Sequence, residues 1–157
     1  VTASEEILKC LLTILPFYYA LAESRKGCSR ETVELLGALF RLFPIVFEHS
    51  DQFLESLPAE DPRREVRMKG LDQIRSMTAK MCHGAIASLT ERDTYSESDR
   101  VRLAELLQET LPSLLPRLPR ETQKEYLLEL KEIHRLERDS SVKSALNSLL
   151  DALSLKK

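Results

Sequence analysis

Three apolar stretches of this chain each end in a proline: LLTILP at residues 11–16, LFRLFP at 39–44 and LQETLP at 107–112. Each has an apolar residue five positions before the proline and another directly before it, a spacing typical of helices. A proline inside a helix removes one backbone hydrogen bond and pushes on the carbonyl four residues earlier, at a cost of about 3 kcal/mol. The stretches therefore predict helices that are bent or divided at Pro16, Pro44 and Pro112 around a shared core.

The composition favours a single all-α domain over residues 1–157. Apolar residues make up 43% of the chain and charged residues 31%, which is a normal globular balance. Glycine occurs 4 times and tryptophan is absent, while leucine, glutamate, arginine and alanine dominate, so helix is favoured over strand. A domain of this size buries about 70% of its unfolded surface, so it needs neither a metal nor a disulfide to be stable.

Local start signals and apolar periodicity divide the chain into five to six helices. Asp61 before Pro62, Ser96, and the Asp139-Ser140-Ser141 sequence are typical helix beginnings. We predict helices over residues 2–24, 29–57, 62–90 and 120–136, one that starts after Ser96 and is ended by the prolines from Pro112 onward, and one from about 140 to 153. In the third helix the predicted core residues begin at Val66. No stretch has the alternation of a strand.

The stretch EDPRREVRMKGLDQIRSM at residues 60–77 resembles the second helix of a HEAT repeat, where an aspartate-rich turn precedes Val-Arg. The resemblance covers less than a fifth of the chain and implies a short HEAT-like helical stack as the alternative fold. A solenoid has a steady period, whereas the three proline stretches lie 28 and then 68 residues apart. We therefore expect one compact bundle with proline-bent helices.

The charge balance bears on the class of partner. The chain has 23 lysines and arginines against 25 aspartates and glutamates, a net charge of −2, without the basic excess of a nucleic-acid-binding domain. The third predicted helix nevertheless carries a candidate basic patch, interleaved with acidic residues: Arg63, Arg64, Arg67 and Arg75. Nucleic acid is thus disfavoured as a partner and stays the third hypothesis.

Cysteine spacing and hydropathy bear on the compartment. Cys10, Cys28 and Cys82 form no Cys-x-x-Cys pair, so we expect free thiols, with a Cys10–Cys28 disulfide as the alternative in an oxidising compartment. The apolar run at residues 7–22 is shorter than the roughly 20 residues of a membrane span, and Lys9 and Pro16 interrupt it. We expect a soluble chain, cytoplasmic by default; its first residue, Val, leaves open a removed leader or a larger N-terminal part.

The sequence lacks a recognisable catalytic or metal motif. His49, His83 and His134 have no metal-site spacing, and no glycine-rich phosphate loop or Gly-x-Ser-x-Gly is present. Cys82 and His83 are neighbours, which diverge by about 100° on a helix, so we expect Cys82 in the core and His83 at the surface. Glu137, three residues after His134, is interpreted as part of a solvated charged face. We predict no enzyme activity, no metal and no cofactor.

Aromatic residues suggest where a partner binds, because 7 of the 9 lie within residues 17–53. This cluster has two interpretations. The rings could form an aromatic core between the first two helices, or they could line an exposed groove for a ligand or a partner helix. The leading hypothesis is a protein–protein interaction module, such as an adaptor, inhibitor or regulatory domain. The alternative is a binder of an apolar small molecule or lipid in a cavity framed by those helices. The candidate surface comprises Phe17, Tyr18, Tyr19, Phe43, Phe47 and Phe53.

Overall fold

The computed structural model describes residues 6, 9, 10, 12–16 and 29–154, and over these residues it contains helices and loops but no strand. Five α-helices follow one another: α1 (Ser29–Ser56), α2 (Pro62–Ser88), α3 (Glu97–Leu114), α4 (Arg120–Leu136) and α5 (Ser140–Ser154), with a 3₁₀-helix (Leu115–Arg117) after α3. The described residues between 6 and 16 are also helical. The all-α bundle is confirmed, while the part of the first predicted helix beyond residue 16 lies outside the described residues.

The helix α3 lies at the centre of the bundle and packs most extensively against α5 and α1. It runs parallel to α1, because Arg102 binds Glu34 (2.8 Å) and Glu109 binds Arg41 (2.9 Å) with the same offset of 68 residues. The helix α5 is parallel to α3 as well, since Ser141 contacts Glu97 where both begin, and both end at one groove. Three parallel helices thus form one layer.

A second layer contains α2 and α4, which also run parallel to each other. The Tyr126 hydroxyl on α4 donates to the Ala79 carbonyl on α2 at 2.6 Å, and one turn further along, Glu129 lies 4.0 Å from His83. Helices of the two layers alternate along the chain, so each connection reverses direction.

Pro44 and Pro112 do not divide their helices. Pro44 lies within the continuous helix α1, and Pro112 lies in the last turns of α3, directly before the 3₁₀-helix. These two prolines are 68 residues apart, the same offset that separates the ion-paired residues of α1 and α3. The 68-residue spacing between Pro44 and Pro112 therefore reflects the register of the parallel helices α1 and α3. The two prolines lie at the same height along these helices. Pro16 is helical and exposed.

A close approach of α1 and α3 explains one of the few glycines. A Cβ atom on Gly37 would lie 2.8 and 2.9 Å from the two terminal carbons of Leu106. Contacts this short do not occur between well-packed carbon atoms, so any larger residue here forces Leu106 to move. Glycine at this position allows the two helices to come together next to the Glu34–Arg102 pair.

The helix starts predicted from local signals are confirmed. The Asp61 carboxylate accepts a hydrogen bond from the Arg63 amide at 2.9 Å, and the Ser96 hydroxyl accepts one from the Asp99 amide at 3.1 Å. The prediction that Val66 belongs to the core is wrong, because 73% of it is exposed. Burial along α2 begins only at Leu71, about two turns after the helix starts.

Candidate functional site

The structure divides the aromatic candidates into three groups. Phe43 and Phe47 are 0% and 1% exposed, so the expectation that they form a surface is wrong for the described fold. Their spacing along α1 places them on the face that packs into the core, where the Phe43 ring lies 6.2 Å from that of Phe40. Phe53 is half-buried near the end of α1. The candidates Phe17, Tyr18 and Tyr19 lie outside the described residues.

Phe53 and Arg67 meet where α1 ends and α2 begins. The guanidinium carbon of Arg67 lies 4.6 Å from the centroid of the Phe53 ring, which is within the range of a cation–π interaction. We call Phe53, Arg63, Arg64 and Arg67 the corner surface. It joins one member of the aromatic set with three of the four arginines that the sequence marked as a basic patch.

The arginines of the corner surface are held by the neighbouring backbone and by the cap of α2. Arg64 donates to the carbonyl oxygens of Leu54, in the last turn of α1, and of Leu57, directly after this helix. Arg63 donates to the Asp61 carboxylate at 2.7 and 3.0 Å. These hydrogen bonds from Arg63 lower the pKa of Asp61 to about 2, so this helix cap stays charged at neutral pH.

Arg75 is not part of the corner surface. Its side chain donates to the Arg117 carbonyl at 2.9 Å and to Asp72 at 2.7 Å, joining α2 to the connection before α4. Arg117 in turn lies over the Phe47 ring, 5.6 Å from its centroid. All four arginines of the predicted patch thus have contacts within the chain, and these contacts compete with binding to phosphates.

A buried ionic network was not predicted from the sequence. The side chains of Arg100 and Glu137 are each 3% exposed and pair at 2.8 Å, where α3 begins and α4 ends. The same carboxylate accepts from Arg92 at 2.8 Å and from the amides of Arg138 and Asp139 at 2.9 Å each. Arg100 also binds the Asp139 carboxylate. The expectation that Glu137 belongs to a solvated face is wrong, because the turn after α4 folds it inward.

The thiols and imidazoles of the described residues are not brought together. Cys82 is fully buried, which raises its pKa to about 12, whereas His83 points to solvent with 67% of its side chain exposed. Cys10 is exposed and unpaired; its predicted alternative partner, Cys28, lies outside the described residues. Within residues 29–154 and the described positions before them, no three histidine, cysteine, aspartate or glutamate side chains are grouped so that they could hold a metal ion.

The buried thiol leads to a prediction for a variant that retains only Cys82, Cys10→Ser/Cys28→Ser. Raising the pKa from 9.0 to about 12 reduces the thiolate fraction near pH 8 about a thousandfold, and burial blocks access as well. We expect 5,5′-dithiobis(2-nitrobenzoic acid) to label the folded variant only at the rate of unfolding and to label it at once in denaturant. Rapid labelling of the folded protein would contradict the burial of Cys82.

No described helix is long and apolar enough to cross a lipid bilayer. Comparison of the chain with protein-family models, curated proteins and solved structures finds no match.

Proposed function

We propose that the chain is a non-catalytic protein–protein interaction module, of the adaptor, inhibitor or regulatory kind, that binds its partner through the corner surface. The observation that supports this is the Arg67 guanidinium over the half-buried Phe53 ring, 4.6 Å from its centroid. Aromatic and arginine side chains are enriched among the few residues that dominate binding free energy at interfaces. A ring already held by its neighbours also loses little conformational freedom on binding.

Four of the surrounding hydrogen bonds favour a preformed surface. Arg64 fixes the end of α1 to the start of α2 through two backbone carbonyls, and Asp61 holds both the amide and the side chain of Arg63. The helix ends that carry Phe53 and Arg67 are therefore fixed relative to each other. Because the Arg63 guanidinium is already paired with Asp61, the Phe53 ring under Arg67 is the part of this surface that favours an apolar side chain of a partner.

The test is affinity capture with the full chain, comparing the wild type with Phe53→Ala and Arg67→Ala by quantitative mass spectrometry. Loss of an interface residue of this kind weakens binding by about 2 kcal/mol, or roughly thirtyfold, so both variants should lose the same partner. Ile45→Ala is the matched control, because it removes a partly exposed apolar side chain from the same helix at a different place. Thermal unfolding checks that each variant folds, and capture that neither variant changes would contradict the proposal.

An apolar small molecule is the second candidate, favoured by a groove that lies elsewhere than the sequence suggested. It has a volume of about 290 Å³ and separates the end of α3 from α4 and α5, with apolar walls that include Leu115, Leu127 and Leu153. This volume is at the small end of ligand pockets. Native mass spectrometry of the wild-type protein used for capture distinguishes the two candidate functions. A bound apolar molecule, seen as added mass, would favour the small-molecule binder.

A further inference from the structure

A slot beside the C-terminal half of α4 is a second candidate binding site. It has a volume of about 330 Å³ and lies between the loop that follows α2 and the last two turns of α4. The residues that line it are Thr90, Arg92, Glu129, Glu132, Ile133, Leu136 and Glu137. Its apolar part combines the nearly buried Ile133 with Leu136, which is 58% exposed although it is a large aliphatic side chain.

Among the three glutamates that line the slot, Glu129 has the weakest cationic partner. Glu137 is neutralised by Arg92 and Arg100 at 2.8 Å each. Glu132 pairs with Arg135 at 2.6 Å, but both side chains are more than half exposed, and such pairs contribute little. The cation nearest to Glu129 among the described residues is His83 at 4.0 Å, an imidazole that carries a charge only when protonated.

We propose that this slot binds one lysine or arginine side chain, followed by an apolar residue, from a segment of a partner protein. The aliphatic part of the basic side chain would lie against Ile133 and its charged end would reach Glu129, as long basic side chains do at apolar surfaces with an acidic rim. The neighbouring apolar residue would cover Leu136. The slot suits a single long side chain, since its volume is near the lower limit of ligand pockets.

The test is a nuclear magnetic resonance titration of the full ¹⁵N-labelled chain with two probes, acetyl-Leu-Arg-Leu-amide and acetyl-Leu-Glu-Leu-amide. The arginine peptide should shift the amides of residues 90–92 and 129–137, and the glutamate peptide should not. Glu129→Gln should weaken binding about fivefold, which is the upper range for a partly exposed ion pair. Leu136→Ser, a substitution at an exposed position, should weaken it as well.

Glu125→Gln is the matched control, because it removes the same charge from the same helix outside the slot. Equal weakening by Glu125→Gln and Glu129→Gln would overturn the proposal in favour of general charge attraction. Shifts located elsewhere, or no shifts at a peptide concentration of about 10 mM, far above a 1 mM dissociation constant, would overturn it too. Acetyl-arginine-amide tests whether the slot binds a free cationic ligand. If it bound as strongly as the arginine tripeptide, the proposal that the ligand is a segment of a protein would be overturned. The corner surface involves other helix ends, so either proposal can fail while the other stands.

Discussion

Replacing Glu137 by alanine is expected to destabilise the fold by about 3–5 kcal/mol. The carboxylate neutralises Arg100, whose side chain is 3% exposed, so its removal leaves a buried cation with only Asp139 as a charged partner. The amides of Arg138 and Asp139 lose their acceptor at the same time. Unfolding in urea should show this loss directly. A domain of this size loses about 2–4 °C of melting temperature per kcal/mol, so a decrease of about 10 °C is expected.

Two further variants separate the buried charge from a general effect of mutation. Arg92→Ala removes the partner of Glu137 that is 44% exposed and should cost at most about 1 kcal/mol. The double variant Arg100→Met/Glu137→Met should be less destabilised than the sum of its single variants, because it leaves no unpaired buried charge. If Glu137→Ala cost no more than Arg92→Ala, the network would contribute little to the fold.

The position of Arg100 in the sequence indicates the buried network, although the sequence analysis did not predict it. It lies three residues before Leu103 and seven before Leu107, which places an arginine on the buried face of α3. A cation on such a face requires a buried anion. Nothing in the local sequence indicates which one, because Glu137 is 37 residues away and enters the core only through the turn between α4 and α5.

What the sequence predicted correctly depends on short-range physics. The N-caps at Asp61 and Ser96, and the restart of the chain at Ser140, are each determined by a few neighbouring residues. Helix bounds within one or two residues of the observed ones followed from these signals. The assignment of Cys82 to the core and His83 to the surface is confirmed for the same reason, since neighbours on one helix face in different directions.

What the sequence could not provide is the register between helices. The register of α1 against α3 determines that Gly37 meets Leu106 and that Arg41 meets Glu109. The corner surface depends on register as well, because Phe53 and Arg67 lie on different helices and meet only when the chain turns between them. A cluster of aromatic residues in the sequence shows neither which ones face the core nor which ones face solvent.

Replacing Phe43 by alanine is expected to destabilise the protein by about 3–5 kcal/mol, since it removes a fully buried ring from the contact with Phe40 and leaves a cavity. The sequence had placed this residue on a surface for a partner or ligand, and an exposed residue would give a loss within about 0.5 kcal/mol. The two assignments thus differ severalfold in the free energy of unfolding. Urea denaturation monitored by circular dichroism measures the difference.

The half-buried Phe53 on the same helix is the matched control for Phe43. Phe53→Ala should cost about 1 kcal/mol, because its ring is partly in contact with water before the substitution. Partner capture should respond in the opposite order: Phe53→Ala should lose the partner while the protein stays folded, and Phe43→Ala should lose it only to the extent that the protein unfolds. If the Phe43→Ala protein were stable but no longer bound its partner, Phe43 would belong to the binding surface. The corner surface would then not be the binding site.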